Sequence, residues 1–175
     1  MFESAQSYFA TWTDGWVGES HLIAGVSALI SGALILLIRK GTPPHVLLGY
    51  GYLASMIALN ATALIKYDLT GSPNLFHAAA IVSGLTLMAA YASAIVFRLT
   101  ARPGAAAMHG IFMIWSYFGL VAAFVAEIVT RQFPFMLHGD GGWWRFTSAL
   151  ALFMAATALV THRYAKAEVA RTLSH

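Results

Sequence analysis

Five runs of apolar residues, separated by short polar and charged breaks, dominate the chain. They cover residues 22–38, 46–65, 75–97, 108–130 and 143–161. Each approaches or exceeds the roughly 20 predominantly apolar residues that a helix needs to cross a bilayer core. The breaks are sharp. Arg39-Lys40-Gly41 ends the first run, Lys66-Tyr67-Asp68 the second and Arg98 the third. The fourth carries one acid, Glu127, near its far end; the fifth follows the flexible Gly139-Asp140-Gly141-Gly142 and has an aromatic pair suited to the membrane interface. Helices are the economical choice, since spanning strands outside a closed barrel leave backbone groups unpaired in lipid. The pattern predicts an all-α integral membrane protein, an up-down bundle of five transmembrane helices with a four-helix core plus one.

Composition agrees. Of the 175 residues 59% are apolar and only 10% charged, against roughly 25% charged in a soluble domain. Mean hydropathy is +0.69. Water-soluble, disordered and nucleic-acid-binding classes are excluded on that balance, because the net charge of +3 is accounted for by membrane topology. Seven of the ten Lys and Arg (Arg39, Lys40, Arg98, Arg102, Arg163, Lys166, Arg171) fall on one side of the five-span map, while Lys66, Arg131 and Arg145 fall on the other with most of the acids. The positive-inside rule then puts the N-terminus outside and the C-terminus in the cytoplasm, in a bacterial inner membrane. With no cysteine, disulfide frameworks, iron–sulfur clusters, Cys-based zinc sites and thiol catalysis are excluded.

The chain divides accordingly into an interfacial amphipathic segment (1–20), the four-helix core (21–132), an outer loop with the fifth helix (133–162) and a basic cytoplasmic tail (163–175). Residues 1–20 lack the basic start and apolar run of a signal peptide. Phe2, Ala5, Phe9, Trp12 and Trp16 recur at helical spacing, as expected of a helix lying along the outer interface or of a lid over an outward-facing site. The tail after His162 reads as a short helix on the anionic inner leaflet.

The candidate chemistry lies in the histidines. Of seven, His21, His45, His77 and His109 each stand at the N-terminal end of one of the first four spans. Because helix direction alternates, His21 and His77 belong to the outer face, and His45 and His109 to the inner. A span of some 20 residues rises roughly 30 Å, so the two pairs cannot share one metal ion. In an up-down bundle each pair is diagonal across the interior, which suits two axial imidazoles on haem b. Gly25 and Gly49 follow His21 and His45 by four residues, and such positions give a flat macrocycle room against a helix. A helix N-terminus also disfavours imidazolium and keeps the ring able to ligate.

Two alternatives stand beside haem. His21 and His77, joined by Glu127 or by Glu19, Asp68 or His138, make the mixed imidazole–carboxylate set that zinc accepts, with copper also open. Alternatively the histidines mark the headgroup boundary and the glycines serve helix packing, as in an accessory membrane subunit. Glu127 lies four residues before Arg131, so an i,i+4 pair and snorkelling account for it. Asn60 and Thr62 are the polar residues of the second span, and Asn60 is expected to hydrogen-bond between helices. Phosphate-binding, dinucleotide-binding, serine-hydrolase and zinc-protease motifs are all missing.

With its four histidines so placed, the chain resembles a family of small bacterial predicted integral membrane proteins of unknown function. The resemblance covers about residues 20–132 and rests on His-x-x-x-Gly at His21–Gly25 and His45–Gly49, the Asn74-Leu75-Phe76-His77 entry, and His109 followed by Ser116-Tyr117. It implies membership and membrane location but no activity. The staggered histidines are also similar in arrangement to two-haem transmembrane cytochromes b that carry electrons from ascorbate to ferric iron. That likeness implies an outer haem on His21 and His77 and an inner one on His45 and His109, although five spans replace six and the substrate-binding basic motifs are missing. The expectation is a multi-pass protein of the lipid bilayer that transfers electrons through bis-histidine haem b, with a quinone or a redox protein as partner and a homo-oligomer as one assembly. The alternatives are zinc or copper binding or transport, and a non-catalytic accessory subunit.

Overall fold

The computed structural model describes residues 15–66, 71–132 and 141–173. Every element among them is helical: α1 Gly15–Leu37, α2 Pro43–Ile65, α3 Leu75–Thr100, α4 Pro103–Gln132 and α5 Gly142–Leu173. All five are long and apolar enough to cross a membrane. Their outward faces carry large apolar side chains: Leu47 and Leu152 are each 73% exposed, Met88 and Val160 each 69%. In water such surfaces would aggregate; against lipid tails they carry no penalty. The two compact units are Met1–Gly84 and Leu85–His175, the boundary falling within α3.

In the first unit α1 and α2 form an antiparallel hairpin. Ala24, Ala28, Gly32 and Ile35 make a buried stripe on α1, and Tyr52 and Met56 are fully buried on α2. Small residues matter here because lipid gives no hydrophobic drive for helix association, so close backbone approach and dispersion must supply it. A Cβ on Gly25 would stand 3.5 Å from Cδ1 of Leu59, so this glycine lies against α2. The intervening turn is built from the predicted break. The Lys40 ammonium donates to the carbonyls of Ile35 and Leu36 at 2.8 and 3.3 Å, placing a cation on the negative end of α1. Gly41 takes the left-handed conformation at φ 76°. Thr42 is the N-cap, and Pro43 and Pro44 open α2, where a missing N–H is harmless. Asn60 Nδ2 donates to Ser83 Oγ at 3.1 Å, the interhelical bond expected of it.

In the second unit α3 closes on Ala101, whose φ is 52°. Its N–H donates to the Phe97 carbonyl at 2.7 Å, the single-bond form of a left-handed helix cap that glycine usually fills. Arg102 then accepts the first bonds of α4 from Ala105 and Ala106, and Pro103 begins the helix. α5 packs on α4 and is continuous to Leu173, so the tail expected as a separate short helix extends the fifth span.

The ends of the helices differ from the hydropathy limits. α1 begins at Gly15 rather than residue 22, and α4 at Pro103 rather than residue 108. Hydropathy marks where apolar residues begin, whereas a helix continues until a cap or turn stops its hydrogen-bond ladder. His45 and His77 therefore occupy the third position of their helices, but His21 and His109 the seventh, six residues in and roughly 9 Å along the axis. The shared placement at helix starts thus resolves into two classes. Residues 1–14, and with them Phe2, Phe9 and Trp12, lie outside the described residues, as do Asp68, His138 and Asp140.

Candidate functional site

His21 is half-buried on α1, and its Nδ1 lies 2.9 Å from Oγ1 of Thr62 on α2. The Thr62 hydroxyl donates into its own helix, to Ala58 O at 2.8 Å and Leu59 O at 2.9 Å. With its single proton on those helix carbonyls, the oxygen accepts from Nδ1–H of His21. In the neutral ring the lone pair then resides on Nε2. The same tautomer is imposed on His109, where Nδ1 lies 3.0 Å from the Ala90 carbonyl. A carbonyl only accepts, so Nδ1–H is the donor. An imidazole held through Nδ1–H by a backbone or hydroxyl oxygen, with Nε2 basic, is the arrangement that orients histidine ligands to metals.

His77 is different. It is 6% exposed and built into the start of α3. Asn74 is the N-cap: its Oδ1 accepts the Phe76 N–H at 2.9 Å, and its carbonyl accepts the His77 and Ala78 amides. His77 reaches back from the third position, with Nδ1 accepting the Asn74 N–H at 3.2 Å. This is a reciprocal capping box with histidine where glutamate or glutamine is usual. The same Nδ1 also stands 3.1 Å from Asn74 Oδ1. The Nε2–H tautomer closes the capping box, whereas the Nδ1–H tautomer donates to Oδ1 and moves the lone pair to Nε2. His45, also third in its helix, is half-buried with Nδ1 shielded from solvent.

Glu127 pairs with Arg131, whose Nε and Nη2 approach Oε1 at 2.9 and 2.8 Å. This is the i,i+4 partner expected from sequence. Among the described residues no three His, Asp or Glu side chains are grouped to hold a metal ion. A bis-imidazole centre needs only two such ligands. Of the two glycines expected to admit a porphyrin, Gly25 faces Leu59, whereas a Cβ on Gly49 would meet nothing within 4 Å.

The sequence reading missed Thr62 as the partner of His21 and Asn74 as the partner of His77. The second was legible as Asn-x-x-His ahead of an apolar run, a capping-box spacing; the first depends on the register of α1 against α2. Compared with family models, curated proteins and solved structures, the chain matches none.

Proposed function

We propose that the protein is a multi-pass electron carrier of the bacterial inner membrane, N-terminus outside, in which histidines of an up-down helical core ligate haem b. The observation that carries this is the 2.9 Å contact between His21 Nδ1 and Thr62 Oγ1, which suits an Nδ1–H donor with the lone pair on Nε2. His21 and His77 are the outer-face ligands, and His109, held the same way by Ala90, serves the inner face. Held by such histidines, haem b would supply reversible one-electron transfer.

The chain's own residues define the conditions. Thr62 and Ala90 keep the Nδ1 protons in place and fix ring rotation. His77 would ligate in its Nδ1–H form, donating that proton to Asn74 Oδ1, so ligation would be exchanged against the Asn74 N–H bond of the capping box. Since Leu59 lies against Gly25, a porphyrin would need another face of α1 than the one this glycine presents. A quinone or a redox protein is the partner class.

One observation favours a second assignment. The capping box gives His77 a complete structural role without any cofactor, as in an accessory subunit. Extracted pigment decides between them: protein purified from cells with ample haem supply carries non-covalent haem b in a fixed ratio to chain under the first, and no pigment under the second.

A further inference from the structure

Ile111 and Trp115 of α4 and His162, Ala165 and Lys166 of α5 line a cleft of about 280 Å³. It is smaller than the roughly 300–1,000 Å³ of sites that enclose a whole small molecule, so a ligand there keeps much of its bulk outside. Its walls are two kinds of surface. Ile111 and Trp115, four apart on α4, form an apolar wall, and Trp115 is braced edge-on against Phe118 with ring centroids 5.4 Å apart. Ala165, 4% exposed, gives a floor without side-chain bulk. His162 and Lys166, four apart and exposed on α5, set an N–H donor and an ammonium at the rim.

Depth along the helices places that rim. His162 lies 18 residues beyond Trp144, where the apolar stretch of α5 opens, roughly 27 Å at 1.5 Å per residue. That is nearly the full thickness of a bilayer core of about 30 Å. The two polar groups therefore reach headgroup depth while Ile111 and Trp115 remain among the acyl chains. Arg163 on α5, and Arg98 and Arg102 at the α3–α4 turn, belong to the same end of this unit. Clusters of basic groups between membrane helices attract anionic headgroups.

We infer that this cleft is a binding site for one anionic phospholipid of the inner leaflet, with the phosphate on Lys166 and His162 and the first acyl segment against Ile111 and Trp115. A ligand so bound staples the extended part of α5 to α4. The assignment is independent of haem and stands or falls separately from it.

The test uses the full chain in detergent micelles doped with phosphatidylglycerol or with phosphatidylcholine of the same acyl chains, read by native mass spectrometry. Wild type should retain one phosphatidylglycerol in preference to phosphatidylcholine. Lys166→Gln should weaken that preference about fivefold, the effect of one lysine at an anionic surface. Ile111→Trp, which fills the apolar wall without altering charge, should abolish retention of either lipid at this stoichiometry. Arg163→Gln, outside the cleft lining, should change little. Equal retention of both lipids by wild type overturns the site. So does an equal loss in Arg163→Gln and Lys166→Gln, which would mean general attraction to net charge, or retention unaffected in Ile111→Trp.

Discussion

Nδ1 of His21 and Oγ1 of Thr62 meet at 2.9 Å across the α1–α2 hairpin, and with the threonine proton on the carbonyls of Ala58 and Leu59, 2.8 and 2.9 Å away, the histidine is the donor. That bond links the two helices and, with histidine as donor, favours the tautomer able to ligate through Nε2. Membrane interhelical hydrogen bonds are worth about 0.6 kcal/mol on average, too little to hold a fold but enough to bias a tautomer pair.

Thr62→Val keeps the shape of the side chain and removes the acceptor. We expect the ¹⁵N spectrum of His21 to shift from an Nδ1–H pattern toward a mixture of tautomers, with stability lower by about 0.5–1 kcal/mol. An unchanged His21 spectrum would mean that Thr62 does not set the proton position.

The capping box separates two roles of His77. Glutamine is a natural third-position partner for the cap amide, whereas alanine offers nothing. Unfolding in detergent should find His77→Gln within about 0.5 kcal/mol of wild type and His77→Ala lower by about 1–2 kcal/mol. Equal losses in both variants would refute the capping assignment.

Ala101 holds a left-handed conformation, with φ at 52°. Such a backbone disfavours a Cβ by about 1–2 kcal/mol, partly offset by the roughly 0.5–1 kcal/mol that glycine loses in entropy on folding. Ala101→Gly should therefore raise stability by about 0.5 kcal/mol, measured as a higher melting temperature. A lower one would contradict the cap.

Glu127 and Arg131 are each about one-fifth exposed, and such i,i+4 pairs contribute about 0.3–0.5 kcal/mol. Glu127→Gln should reduce stability by no more than that and leave the zinc and copper content of the purified protein unchanged. A fall in metal content would assign Glu127 as a metal ligand.

The all-helical class and the five long apolar helices were legible because the signal, long apolar runs cut by Arg39-Lys40-Gly41 or Lys66, is also the physical constraint that lipid imposes. The ends of α1 and α4 were not: nothing apolar marks Gly15 or Pro103, and their position depends on caps and turns such as Ala101. The Glu127–Arg131 pair was legible because both partners sit on one helix. The partner of His21 was not, since Thr62 is 41 residues away and only the register of two helices brings it within reach. His77 illustrates the converse. Its local pattern, Asn74-Leu75-Phe76-His77, carried a cap beside the candidate ligand, and four histidines viewed together concealed that two are third in their helices and two are seventh.

The central claim is that His21 ligates haem b through Nε2. It is tested most directly by the reduced-minus-oxidised absorption spectrum of the purified protein, compared with His21→Ala and with His77→Gln, the variant expected to keep the fold. The account predicts a b-type α band in wild type that is diminished in both variants. A wild type without a haem spectrum, or a band undiminished in His21→Ala, would contradict it.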